Sequence, residues 1–363
     1  MPKKAISLPR KFIQGRGVIE EIGAYAAMLG KKAVVLWGTR AKAAVGEQVA
    51  KSLDAAGVEL VDVPFGGETT HAEAERVAAI AKDAAMVIGI GGGKCIDAAK
   101  AAAIYNKLPH IIVPTVASND APTSACTVWY DPDGVMIGFD MWDANPDYIL
   151  VDTDVIVKAP VRLFVAGIGD AIATWYEAEA CRQSRAITCT GGVASLTALA
   201  MAELCRDVLL EHGLRAIADV KLGAATPSVE KVVEATTLLS GIGWESGGLA
   251  TAHAMGNGLP MLPETHGYYH GEKVAFGLLT QLCLDDDVEP ADIDEIAGFL
   301  TEAGLPTTFA DLNIEGLGEE RMKLFSAAVA GEGSFVHNHP FAVTPADLYD
   351  AMMSADAKGR EYK

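Results

Sequence analysis

The sequence predicts a parallel α/β domain followed by an all-helical domain, and three observations carry that expectation. Up to about residue 160, short apolar runs alternate with longer amphipathic stretches. One of those runs feeds a cluster of glycines that opens a helix. Beyond Pro160 the strand-like runs stop, while helical segments rich in Ala and Leu continue.

The elements follow in order. Lys32–Trp37 (KAVVLW) is a compact apolar run suited to a strand buried on both faces, and a helix from Arg40 to Ala56 follows it. Val58–Val63 is the next strand. His71 to Asp83 repeats apolar positions at helical spacing, with Glu73, Glu75 and Lys82 toward water. Ala85–Gly89 is a strand that runs into Gly91-Gly92-Gly93-Lys94 and the helix Cys95–Tyr105, and His110–Val113 is a further short strand. This rhythm predicts a doubly wound parallel sheet that binds its ligands beyond the carboxyl ends of its strands. Around Asp131-Pro132-Asp133-Gly134 the alternation within Cys126–Phe139 predicts a hairpin, which would make the sheet mixed at one side; Tyr148–Val151 is the last strand. After Pro160, Arg162–Arg182, Gly191–His212, Val229–Ile242, Lys273–Leu284 and Asp292–Ala303 read as helices. The expected division is residues 1–160 and 161–363, closely packed about a cleft, with no repeat or long linker.

Composition narrows the function classes. A chain of 363 residues that is 50% hydrophobic can bury a large core. A formal charge of −19 argues against nucleic acid or an anionic membrane as partner, since both call for a basic footprint. No run approaches the roughly 20 apolar residues of a membrane span. MPKKAISLPRKF lacks the apolar core of a signal peptide. The six cysteines contain no Cys-x-x-Cys pair, so they are expected as reduced thiols of a cytoplasmic protein and offer no metal site.

Chemistry concentrates in Ser246–Gly277. His253 lies in a helix-prone run after a Gly pair, and His270 stands at the start of a second helix. Two imidazoles on separate rigid elements can grip one metal ion, and Asp170 in GIGDAIATWYEAEAC, read as opening a helix after a Gly-rich break, can balance its charge. Taken singly, His253 also fits a core residue, His270 a helix cap and Asp170 a first-turn acid; taken together, the three read as a metal site. The turn Gly89-Ile90-Gly91-Gly92-Gly93-Lys94 lets backbone amides approach a pyrophosphate, or is simply a tight connection. It is neither a Gly-x-Gly-x-x-Gly fingerprint nor a Walker loop. Lys94 fits a phosphate counter-charge or an exposed helix residue.

With Asp97, PTVASNDAPTSA (114–125), GIGDAIATWYEAEAC (167–181), SGGLATAHAMGNG, HGYYHGEKVAFG and VHNHPFAVTP (336–345), these motifs resemble the glycerol dehydrogenases, the zinc-using branch of the iron-containing alcohol dehydrogenase superfamily. The resemblance covers nearly the whole chain. It implies a Rossmann-like α/β domain before an all-α domain, the dehydroquinate synthase-like fold, with NAD and Zn²⁺ meeting in the cleft. It implies Asp170, His253 and His270 as metal ligands and Gly91, Gly92, Gly93 and Lys94 on the pyrophosphate. Asp97, Thr115, Ser118, Ser124, Cys126, Val128 and Tyr130 are the remaining cofactor contacts it implies. Asp120 is the implied substrate carboxylate, although its local sequence also fits an Asx turn before Pro122. The implied partners are a small polyol or hydroxyketone and further copies of the chain, in an assembly such as an octamer. The chemistry agrees with this ligand set. Hydride leaves a carbinol carbon readily only when its oxygen ionises, which a neighbouring divalent ion favours, and NAD receives the hydride.

The chain departs from that pattern at three places. Trp37-Gly38-Thr39-Arg40 lacks the acidic residue that would hydrogen-bond the adenosine ribose, so NADP stays open as cofactor. Gly256 stands where a further His is common, and Trp244 where a Phe is usual. Thr174 occupies the position of a His ligand in iron-dependent members, which leaves three ligands and favours zinc. Two other readings stand beside the diol dehydrogenase. One is a sugar-phosphate enzyme of the same fold, such as a glycerol-1-phosphate dehydrogenase or a 3-dehydroquinate synthase-like lyase, which would need an Arg and Lys cluster absent from these motifs. The other is a catalytically silent nucleotide sensor, against which the intact ligand and glycine motifs argue.

Overall fold

The computed structural model describes residues 2–363. Its strands are β1 (Lys11–Gly15), β2 (Lys32–Trp37), β3 (Glu59–Pro64), β4 (Met86–Gly91), β5 (His110–Pro114), β6 (Cys126–Tyr130), β7 (Met136–Met141) and β8 (Tyr148–Asp152). Six of them form one sheet in the order β1-β8-β5-β4-β2-β3, with every pairing parallel. Every residue of β4, β5 and β8 is buried, because helices cover both faces. Val35, Trp37, Ile88, Ile90, Ile111 and Val113 pack with the helices Ile22–Leu29 and Thr39–Ala55. Val34, Leu36 and Val87 pack with His71–Ile80 and Gly93–Tyr105.

Two features of the sheet differ from expectation. β1 supplies an edge strand beside β8, although KFIQG is too short and too polar to announce itself. The hairpin β6–β7 forms, but as a separate two-stranded sheet, so the main sheet is not mixed. Its inward residues explain why. Trp129 packs with Ala74, Ala101 and Trp142, and Thr127 donates to the Asp97 carbonyl at 3.2 Å, so the hairpin lies on helix Gly93–Tyr105.

Strand order reverses between β2 and β4, which places a crevice at their carboxyl ends. Trp37 pairs with Ile90, and Gly91 with Pro114. Gly38-Thr39-Arg40, the glycine turn and Thr115–Ser118 therefore emerge side by side.

The chain forms two compact units. The sequence places a boundary after residue 160; the α/β unit comprises Ser7–Phe164 and also takes in Ala218–Gly241. Within that later segment Glu230 accepts hydrogen bonds from Thr153 Oγ1 at 2.5 Å and, through its carbonyl, from Gln14 Nε2 at 2.7 Å. The expected helix 229–242 is interrupted by a π turn, Ala235–Leu239, whose Thr237 carbonyl accepts the Thr123 hydroxyl at 2.7 Å. The second unit holds residues up to Ile6, Val165–Ile217 and Ile242–Lys363. It contains the helices Thr251–Gly258, His270–Leu284 and Pro290–Ala303, and also Glu319–Val329 and Pro345–Arg360, which lie beyond the sequence-predicted set. Met255, Phe276, Phe309, Phe325, Leu348 and Met352 form its core. Among the described residues no helix is long and apolar enough to cross a membrane.

Ile88 lies fully buried at the middle of β4. Ile88→Ala is expected to lower the unfolding free energy by about 2–5 kcal/mol, read from denaturant titration, because that strand cannot collapse onto the void.

Candidate metal centre and nucleotide turn

Asp170 sits in the last turn of the helix Val161–Ala171, and the next helix, Thr174–Ser184, begins after a two-residue break. This corrects the expectation that Asp170 opens a helix and that Arg162–Arg182 is one helix. Gly167 and Gly169 are inside the helix, and the glycine at 169 serves contact rather than a turn. A Cβ on Gly169 would stand 2.5 Å from the Gly271 carbonyl, and one on Gly271 would stand 1.8 Å from the Ala166 carbonyl. Only two bare backbones can cross so closely, and the crossing brings His270, the first residue of His270–Leu284, up to Asp170. His253 arrives as the third residue of Thr251–Gly258.

The three side chains converge. Asp170 Oδ1 lies 3.3 Å from His270 Nε2 and 3.5 Å from His253 Nε2, and one ligand atom from each residue lies within 4.8 Å of the others. A tetrahedral ion with bonds near 2.1 Å needs donor spacings of about 3.4 Å. The donor set, one carboxylate and two imidazoles, therefore fits a divalent metal. Asp170 and His253 are buried, and His270 is partly exposed.

Behind this cluster stands Glu177, which sequence reading missed. Its carboxylate hydrogen-bonds His253 Nδ1, so that nitrogen carries a proton and Nε2 is the ring nitrogen turned to the cluster. Glu177 Oε1 also accepts from the backbone N–H groups of Ala250 and His253, at 2.8 and 2.9 Å. Gln281 Oε1 accepts from Ala252 N–H at 2.9 Å. The helix Thr251–Gly258 has no side-chain cap of its own, so these two residues satisfy its first donors from outside. Burial alone would lower the basicity of His253, but the Glu177 and Asp170 carboxylates outweigh it and favour positive charge at that point. Sequence spacing gave no signal for Glu177, because the helix breaks at residues 172–173, between it and Asp170.

The remaining histidines near these segments, and the departures from the family pattern, fall outside the cluster. His266 is exposed and donates to the Pro260 carbonyl at 2.9 Å; His337 is exposed and donates to Gly331 at 3.1 Å. His339 is buried with Nε2 2.8 Å from the Thr251 hydroxyl. Thr174 is buried at the start of the following helix. Gly256 faces Val274: a Cβ there would meet Val274 Cγ2 at 2.6 Å and His270 Cε1 at 3.5 Å. The volume beside His270 is thus filled by a valine rather than left open. Trp244 is buried in Ser240–Gly247.

In the α/β unit, β4 ends at Gly91 and the helix Gly93–Tyr105 starts directly after Gly92. Gly92 provides no side-chain cap and the first turn has no acid, so the leading amides are available to an anion. A Cβ at Gly91 would stand 2.9 Å from that of Cys95, and one at Gly93 would stand 2.6 Å from Asn119 Nδ2. The turn therefore fits a pyrophosphate held by backbone. Lys94 pairs with Glu68 and lies 4.4 Å above the Tyr130 ring. Thr115 and Ser118 are half-buried beyond β5. Cys126, Val128 and Tyr130 share one face of β6, and Ser124 is buried just before it. Asp120 is buried and accepts the Ser240 hydroxyl at 2.7 Å. Asp97, expected among the cofactor contacts, is buried, with its carboxylate engaged by Lys100 at 2.8 Å and by the Val128 N–H at 3.0 Å.

Comparison with known proteins identifies the family. The profile of the iron-containing alcohol dehydrogenase family matches residues 9–153. Glycerol dehydrogenase of Escherichia coli is 43% identical over 361 residues, covering 99% of this chain and 98% of that protein. The chain belongs to the iron-containing alcohol dehydrogenases. It is an oxidoreductase acting on CH–OH groups, and the family brings NAD(P) and a metal as cofactors. Glycolaldehyde reductase of Halobacterium salinarum is 41% identical over 98% of both chains. The crystal structure of glycerol dehydrogenase from Schizosaccharomyces pombe superposes with a TM-score of 0.95 at 36% identity, covering 100% of this chain and 92% of that one.

Glu177→Gln keeps an oxygen for the Ala250 and His253 amides but sets an NH₂ against the His253 Nδ1–H. Zinc affinity, measured by competition with a chromophoric chelator, is expected to fall about 10–100-fold. The far-ultraviolet circular dichroism should not change.

Proposed function

We propose that this enzyme is a zinc-dependent, NAD-linked dehydrogenase of glycerol or a related small vicinal diol, working in either direction. The convergence of Asp170, His253 and His270 carries the reading. Three protein donors leave coordination positions for substrate, and one carboxylate with two imidazoles suits Zn²⁺; Thr174 supplies no fourth imidazole. Bound there, the ion supplies Lewis acidity to a carbinol or carbonyl oxygen, and NAD accepts or gives the hydride. The chain's own residues do the rest. Asp170 balances the charge, Glu177 fixes the His253 tautomer, and the backbone amides after Gly92 receive the pyrophosphate. Asp120, held by Ser240, offers a fixed carboxylate to a substrate hydroxyl.

The names of the relatives support a substrate of two or three carbons. Glycerol dehydrogenase and glycolaldehyde reductase describe opposite directions of one chemistry. Val274 fills the space beside Gly256 and His270 that a histidine at 256 would enter. A panel of diols, hydroxyketones and hydroxyaldehydes tests the assignment, with glycerol, ethylene glycol and their oxidised partners expected among the turned-over compounds.

Three outcomes follow. About one zinc per chain should be found by elemental analysis, with activity lost to a strong chelator and restored by zinc. Asp170→Asn should abolish turnover and zinc retention while NADH binding, read by fluorescence, persists; iron in the protein, or full activity without metal, contradicts the zinc site. Catalytic efficiency should favour NAD over NADP only modestly, since Gly38 brings no carboxylate and the basic neighbour of Arg40, Lys42, is paired with Asp62. A large NADP advantage contradicts that preference.

A further inference from the structure

One buried charged pair in the α/β unit has no part in the chemistry above. Asp97 and Lys100 are neighbours on helix Gly93–Tyr105, and both are almost wholly buried. Lys100 Nζ lies 2.8 Å from Asp97 Oδ1 and donates to the carbonyls of Ala121 at 3.0 Å and Ser124 at 3.3 Å. Asp97 Oδ2 accepts the Val128 N–H at 3.0 Å, and its backbone carbonyl accepts the Thr127 hydroxyl at 3.2 Å. Two side chains of one helix therefore grip residues 121–128 at both ends. That segment adjoins Asp120 and carries Ser124, Cys126 and Val128. The same helix begins at the glycine turn.

Stability alone does not call for such a pair, because well-packed apolar residues commonly replace a buried ion pair without loss. A charged pair can do what apolar residues cannot: satisfy two carbonyls and an amide at fixed points and so set the path of the backbone. We propose that Asp97 and Lys100 are positioning residues that hold 121–128 ready for the nicotinamide end of the cofactor and for Asp120 to meet substrate. This rests on the dinucleotide reading and gives Asp97 an indirect role in place of a direct contact.

The test is the double variant Asp97→Leu/Lys100→Met, which removes the pair without leaving a lone buried charge. Affinities are measured for NADH and for ADP-ribose, which has the pyrophosphate and both riboses but no nicotinamide. Loss of pre-organisation is expected to weaken NADH about tenfold or more and to raise the diol KM, with ADP-ribose held within about twofold. A folded double variant that binds both ligands like the wild type overturns the proposal, as does an equal loss of both. Wild-type hydrogen exchange adds a measurement that needs no substitution. Amides of 121–128 should be protected before any nucleotide is added, and free exchange there overturns the proposal even if the variant fails to fold. Wild-type protein that binds neither NADH nor ADP-ribose would sink the dinucleotide reading itself, and that appears in the control.

Discussion

The helical unit depends on one buried carboxylate. Glu177 satisfies the first amides of Thr251–Gly258 and in the same contact fixes the ring of His253. A helix start without its own cap is a set of unpaired donors, and burying it requires an acceptor from elsewhere. Here the acceptor comes from the helix that follows Asp170. Capping and orientation of the His253 ring are therefore one interaction, and the Asp170–His253–His270 cluster cannot be assembled without also completing the fold of that helix. The opposite side of the cluster is set by sterics. Gly169 and Gly271 let two helices touch backbone to backbone, which fixes the Asp170–His270 spacing.

In the α/β unit the organising fact is topological. The reversal of strand order between β2 and β4 leaves their carboxyl ends flanking one crevice, and the glycine turn falls there because β4 ends there. Lys94 is held between Glu68 and the Tyr130 ring, so its charge is already directed before any phosphate arrives. Its exchange of Glu68 for a phosphate would trade one anion for another, which tempers the net gain from that contact.

Much of this was legible in the sequence, for a physical reason. Strands buried on both faces are continuous apolar runs, so β2, β4, β5 and β8 show themselves, as do the glycine turn and the two histidines. What escaped was set by partners distant in sequence. β1 is a strand only because β8 accepts it. The hairpin reads as part of a mixed sheet until Trp129 and Thr127 are seen to face helix Gly93–Tyr105. Gly167 and Gly169 resemble a helix break, since sequence cannot distinguish a glycine needed for a turn from one needed for contact. Glu177 stands in an acidic run, Glu-Ala-Glu-Ala, that resembles a solvated helix face, and only the fold turns that position inward.

Both units solve the same problem in the same way. Each has a functional segment whose backbone donors or acceptors lie in the interior, and each meets them with a buried charged side chain: Glu177 for the amides before His253, Lys100 and Asp97 for the groups after Asp120. An apolar residue would cost less to desolvate but would leave those backbone groups unpaired, which costs more. Satisfying them with one rigidly held charge also removes alternative backbone paths, since each path would strand that charge. The polar interior is thus where conformational choice is settled, while the apolar clusters behind it supply most of the stability.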